Sequence, residues 1–94
     1  MTPEHLAAIL DAAAAKPGEG GFTTLPEGKA LTLYVAHDGV PLTVSRVEAI
    51  AQAGKVVRAR TSKGELFVLA LDDVFAAATE ATSAAVRRAG FSAG

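Results

Sequence analysis

Of the 26 apolar residues larger than alanine in this chain, 18 fall between Leu31 and Phe75. A close-packed interior needs bulk to fill it, so the core must come from that stretch. Within it the bulk alternates. Leu31, Leu33 and Val35 are separated by Thr32 and Tyr34, and Val40, Leu42 and Val44 repeat the period after His37-Asp38-Gly39. A period of two places successive side chains on opposite faces of a strand, and Asp-Gly suits a tight turn with positive φ. Val56–Thr61 and Leu66–Leu71 flank Ser62-Lys63-Gly64 in the same manner. Residues 30–71 therefore read as a β core of two hairpins. Leu66–Leu71 is apolar throughout, which predicts a central strand covered on both faces.

The flanks are alanine-rich: 15 of the 21 Ala lie outside Leu31–Phe75. Thr2 as cap, Pro3 at the first helical position and Leu6, Ile9, Leu10 and Ala13 on one face predict a helix over 1–16. Pro17-Gly18 stops it, and the glycines of 17–29 make a flexible loop. Asp72 or Asp73 caps a second predicted helix, over 72–89, with Arg87-Arg88 near its end and Gly90 beyond it. Between the hairpins, Ser45 and Glu48 spell a capping box, Gly54 suits a helix C′, and Ala49, Ala51, Gln52 and Ala53 favour helix. A 25-residue shift aligns Gly39 with Gly64, Leu42 with Phe67 and Ile50 with Phe75, as a ββα unit used twice would.

The expected architecture is a single α+β domain over 1–94: a four-stranded antiparallel sheet of two hairpins, with N- and C-terminal helices. Its expected core is Leu31, Leu33, Val35, Leu42, Val44, Ile50, Val57, Phe67, Leu69, Val74 and Phe75. One sheet face and two thin helical stripes leave apolar surface uncovered, so a homo-oligomer is expected.

Composition limits the functions. Half the residues are hydrophobic, too many for a disordered chain, yet no apolar run approaches the ~18 residues of a membrane span. No membrane partner is expected. There is no cysteine, so disulfide and thiol chemistry are excluded. With no basic start or apolar stretch of a secretory signal, the expected location is cytoplasmic. A phosphate loop does not fit: Gly21 and Gly28-Lys29 enclose six residues rather than four, and Ala30 stands where a hydroxyl would hold magnesium. His37-Asp38 offers two metal ligands with no third near in sequence. Asp72-Asp73 reads as a cap. No paired acid–base groups or activated nucleophile are evident, so neither an enzyme nor a cofactor is expected.

Charge is the remaining signal. The net charge is −1, but Arg46–Lys63 carries +4 and the remainder −5. The candidate binding residues are Arg46, Lys55, Arg58, Arg60 and Lys63. Arg58 and Arg60 share one face of a strand. Such a patch suits nucleic-acid phosphates, a small anionic ligand or an acidic protein partner.

The run Val47–Val68, with Gly54, Arg58, Thr61, Gly64 and Glu65 at matching places, resembles the first half of a LytTR-type DNA-binding domain. The resemblance covers about residues 30–78. It implies a strand over 47–53, and nucleic-acid binding by a transcriptional regulator. The family's later aromatic-Arg-His-Arg-Ser strand has no counterpart in Ala76–Gly94. The leading expectation is a small non-catalytic binding or regulatory module, acting as a homo-oligomer on a macromolecular partner.

Overall fold

Asp38 and Gly39 adopt φ of 50° and 79°, the paired positive values that a two-residue hairpin turn requires. They join β3 to β4 in a computed structural model that describes residues 1–81. Its elements are α1 (Pro3–Ala12), β1 (Lys16–Pro17), β2 (Thr23–Thr24), β3 (Lys29–His37), β4 (Val40–Ala53), β5 (Val56–Thr61), β6 (Leu66–Ala70) and β7 (Val74–Ala81). Short 3₁₀ turns occupy Glu19–Gly21 and Leu71–Asp73.

All strand pairings are antiparallel, and the long β4 organises them. Its first half pairs with β3, from His37↔Val40 to Leu31↔Val47. Its second half pairs with β5, from Val47↔Thr61 to Ala53↔Val56. On the opposite flank Thr23 and Thr24 of β2 lie beside Ile50 and Ala49, and β1 pairs with β2. β6 folds back on β5. The chain then crosses through the 3₁₀ turn to β7, which runs along β3 from Val35↔Val74 to Lys29↔Ala81. The result is an open sheet of seven strands rather than four. Among the described residues, β1, β6 and β7 each have a single neighbour, so all three are edges.

Residues 45–53 are strand, not helix, so the repeated ββα unit does not form. The misleading signal has a physical source. Val44 pairs with Leu33 and Val47 with Leu31, so three steps on β4 oppose two on β3. Val47 pairs with Thr61 and Ile50 with Ala59, again three steps against two. Each irregularity is a β-bulge, which inserts one residue and restores the inward orientation. Arg46, at the first of them, has φ 58°. Val44, Val47 and Ile50 therefore all point inward, each buried, at a spacing of three. That spacing imitates a helical stripe. Gly54, read as a helix stop, lies with Lys55 in the β4–β5 turn.

The predicted C-terminal helix over 72–89 is also corrected. Asp72 and Asp73 sit in the 3₁₀ turn and Val74–Ala81 is strand; the rest of that helix falls outside the described residues. Alanine's helix preference amounts to tenths of a kcal/mol per residue over most alternatives. Pairing with β3 at seven positions outweighs it. The 17–29 segment carries β2 as well as loop, and β1 spans its boundary with the expected helix at Lys16–Pro17. α1 forms as capped by Thr2, whose Oγ1 accepts from the His5 N–H at 3.1 Å. It stops at Ala12, short of Lys16, because Ala14 turns left-handed with φ 60°.

Leu6 of α1 and Ala13 just beyond it join Leu25, Leu31, Leu33, Val35, Val44, Val47, Ile50, Val57, Ala59, Leu71 and Val74 in one buried cluster. Phe67 and Leu69 pack at its margin. Two expected core residues are outside it. Leu42, beside the β3–β4 turn, is 44% exposed, and Phe75 is 64% exposed. Phe75 lies where the β3–β7 register shifts, which turns its ring outward, 6.3 Å from the ring of Tyr34. Nor is β6 covered on both faces: Leu66 and Val68 are exposed.

Candidate functional site

β5 has the strict alternation of a strand covered on one face. Val57, Ala59 and Thr61 are buried, while Val56, Arg58 and Arg60 are exposed. Directly opposed residues in neighbouring strands share a face. Arg60 opposes Leu66, Arg58 opposes Val68 and Val56 opposes Ala70. The outward face of the β5–β6 hairpin therefore interleaves two arginines with four apolar residues. Leu66 is 54% and Val68 64% exposed. On the other flank Ala51 opposes Arg58 and Ala49 opposes Arg60, and both alanines are buried.

Arg60 is held in place. Its Nε lies 3.6 Å from Glu48 Oε1, and its guanidinium sits 5.2 Å from the centre of the Phe22 ring. At this exposure the ion pair contributes at most about 1 kcal/mol, and the cation–π contact about 0.5–1 kcal/mol. Their effect is to fix the direction of the guanidinium and to tack the 17–29 segment onto the sheet. Arg58 has no ion-pair partner among the described residues.

The five candidate basic residues do not form one patch. Arg46 and Lys63 meet elsewhere, in a cleft of about 440 Å³ lined also by Thr43, Val44, Ser45, Glu65 and Phe67. The main chain at Arg46 is anchored: its N–H donates to Glu80 Oε1 at 3.3 Å, and its carbonyl accepts from the Ser62 N–H at 3.0 Å. Glu80 Oε1 also accepts from Thr32 Oγ1 at 3.0 Å. Lys55 is at the far end of β5, its Nζ 3.8 Å from Asp72 Oδ2. At ~3.3 Å per strand residue it lies about 25 Å along the hairpin from Lys63.

The structure brings Asp73 to the His37-Asp38 pair. His37 Nδ1 is 3.1 Å from Asp73 Oδ2, and Nε2 is 3.4 Å from Asp38 Oδ2. The two ring nitrogens face different carboxylates, so they bridge two acids rather than converge on one point. Among the described residues no group of three or more His, Asp or Glu is placed to hold a metal ion.

Sequence reasoning placed Arg58 and Arg60 on a common face but missed Val56, Leu66 and Val68 beside them. The signal was present: Leu66–Ala70 has no polar residue on either face. In the sequence such a run predicts a central strand, and only the topology makes it an edge. Among the described residues no helix is long and apolar enough to cross a membrane. No protein-family model, curated protein or solved structure matches the chain.

Proposed function

We propose that this chain is a non-catalytic binding module that works as a homo-oligomer, and that the outward face of the β5–β6 hairpin takes a macromolecular partner. One observation carries the reading: Leu66 and Val68 stand exposed beside Arg58 and Arg60 on a single face of the hairpin. Apolar side chains in such numbers on a small domain mark a surface made for contact. Arginine among them is the cation most readily desolvated against a carboxylate or phosphate. The complementary partner is a protein surface with an apolar strip flanked by acidic groups.

The test is affinity capture with wild type, Val68→Asp and Arg58→Ala/Arg60→Ala, read by quantitative mass spectrometry. A partner held by wild type, and reduced at least tenfold by each variant, is the expected result. Identical retention by all three would refute the assignment of this face.

A second reading, a nucleic-acid-binding regulator of the kind the LytTR resemblance implies, is favoured by the paired exposure of Arg58 and Arg60. Titration of a labelled duplex at low and moderate salt checks it. Phosphate binding would weaken steeply with salt and with Arg58→Ala/Arg60→Ala. No binding at low salt removes this reading.

A further inference from the structure

Among the described residues one edge of β6 is unpaired, and it has unusual properties for an edge. Leu66–Ala70 contains no charge, no proline and no register shift, whereas edges that stay unpaired are normally guarded by one of these. The other exposed flanks are guarded. β7 carries Glu80 and an irregular register, β1 consists of Lys16 and Pro17, and the open flank of β4 carries Pro41. The direction of the β6 backbone groups follows from the hydrogen bonds to β5. Thr61 N–H donates to the Glu65 carbonyl at 2.9 Å and Leu71 N–H to the Lys55 carbonyl at 2.8 Å. Odd-numbered residues of the strand therefore bond to β5, and Leu66, Val68 and Ala70 aim their N–H and C=O groups at the open edge.

We infer that a second copy of this chain occupies that edge, β6 pairing antiparallel with β6 of its partner about a two-fold axis at Val68. This rests on the homo-oligomer part of the function proposed above and names its interface. The register follows from strand length. Opposing Val68 with Val68 matches Leu66 with Ala70 at both ends, so all three outward-bonding residues pair and about six hydrogen bonds form. A slip of two residues sets Leu66 opposite Asp72 of the 3₁₀ turn in one direction, or Ala70 opposite Gly64 of the hairpin turn in the other, and leaves about four. Strand length thus selects one register.

The consequence is functional. The two hairpins become one sheet in the order β5-β6-β6-β5, with both outward faces on the same side. Arg58, Val68, Val68 and Arg58 then lie in a row. With ~4.8 Å between strands, the two Arg58 backbones stand about 14 Å apart, with an apolar strip between them.

The experiment is light scattering on the full chain at about 100 µM, with Val68→Lys, Val68→Glu, an equimolar mixture of the two, and Arg58→Ala/Arg60→Ala. The expected result is a wild-type dimer, monomers for each Val68 variant alone, dimer recovered in the mixture, and a dimer for the arginine variant. Unchanged far-UV circular dichroism of the Val68 monomers shows that the fold survives. A wild-type monomer, an assembly larger than a dimer, or a dimer indifferent to Val68→Lys overturns the inference. So does a mixture that stays monomeric. The arginine variant separates the two readings, since it removes partner capture without touching the edge, and capture by a monomeric wild type would retain the binding face while discarding this interface.

Discussion

Ile50 stands where the strand assignment of residues 45–53 can be weighed. It is 1% exposed, opposed by Thr23 on one flank and Ala59 on the other. Ile50→Ala removes three buried carbons, each contributing about 0.8 kcal/mol by transfer from water. The enclosing strands are hydrogen-bonded on both flanks and can collapse only partly, so a cavity term adds to this. A loss of about 3–4 kcal/mol is expected. For a chain of this size total stability is on the order of 5–14 kcal/mol, so the variant keeps its fold at 25 °C with a melting temperature roughly 12–25 °C lower. The assay is urea unfolding followed by far-UV circular dichroism, with the m-value checked for constancy. The control is Gln52→Ala, an exposed residue on the same strand, expected to change stability by less than about 0.5 kcal/mol. A loss below about 1 kcal/mol for Ile50→Ala, or equal losses at both positions, would refute the placement of this strand in the sheet's interior.

Two further substitutions probe the hairpin that carries the candidate site. Gly64 has φ 83° and open space around the position of an added Cβ, so Gly64→Ala meets no clash and its cost is the backbone strain alone. About 1 kcal/mol is expected by urea unfolding, with Gly64→Asn losing less because asparagine tolerates this conformation better. Thr61 is buried, and its Oγ1 accepts from the Glu65 N–H at 3.2 Å and lies 3.3 Å from Glu65 Oε1. Thr61→Val keeps the shape and leaves that N–H without its acceptor, for an expected loss of about 1 kcal/mol by the same measurement.

How much of this was legible depends on the range of the interaction concerned. Asp38-Gly39 and Ser62-Lys63-Gly64 announced their turns because turn chemistry is local. The common face of Arg58 and Arg60 followed from the period of a single strand. Val47 and Ile50 misled because two bulges, at Arg46 and Glu48, each add a residue to the count between inward positions. Phe75 misled for the same reason, since one irregularity in the β3–β7 register turns it outward. The site was half legible: the arginines were found, but the exposure of Leu66 and Val68 depends on which strand lies at the margin of the sheet.

What the chain's own order of residues determined is where bulk is available for a core, where it reverses direction, and which side chains of β5 point together. These are consequences of steric preference and spacing over a few residues. Only the tertiary structure decided that Ser45–Ala53 and Val74–Ala81 extend as strands. Alanine prefers a helix in isolation, and that preference is small. It yields when β3 and β5 offer rows of unpaired backbone groups and the buried face accepts Val47, Ile50 and Val74. The same assembly left β6 at the edge of the described sheet, with an apolar outward face and with the N–H and C=O groups of Leu66, Val68 and Ala70 unpaired among the described residues. No property of Leu66–Ala70 alone distinguishes an edge from a centre; the neighbours a strand acquires make that difference, and they lie far away in the sequence.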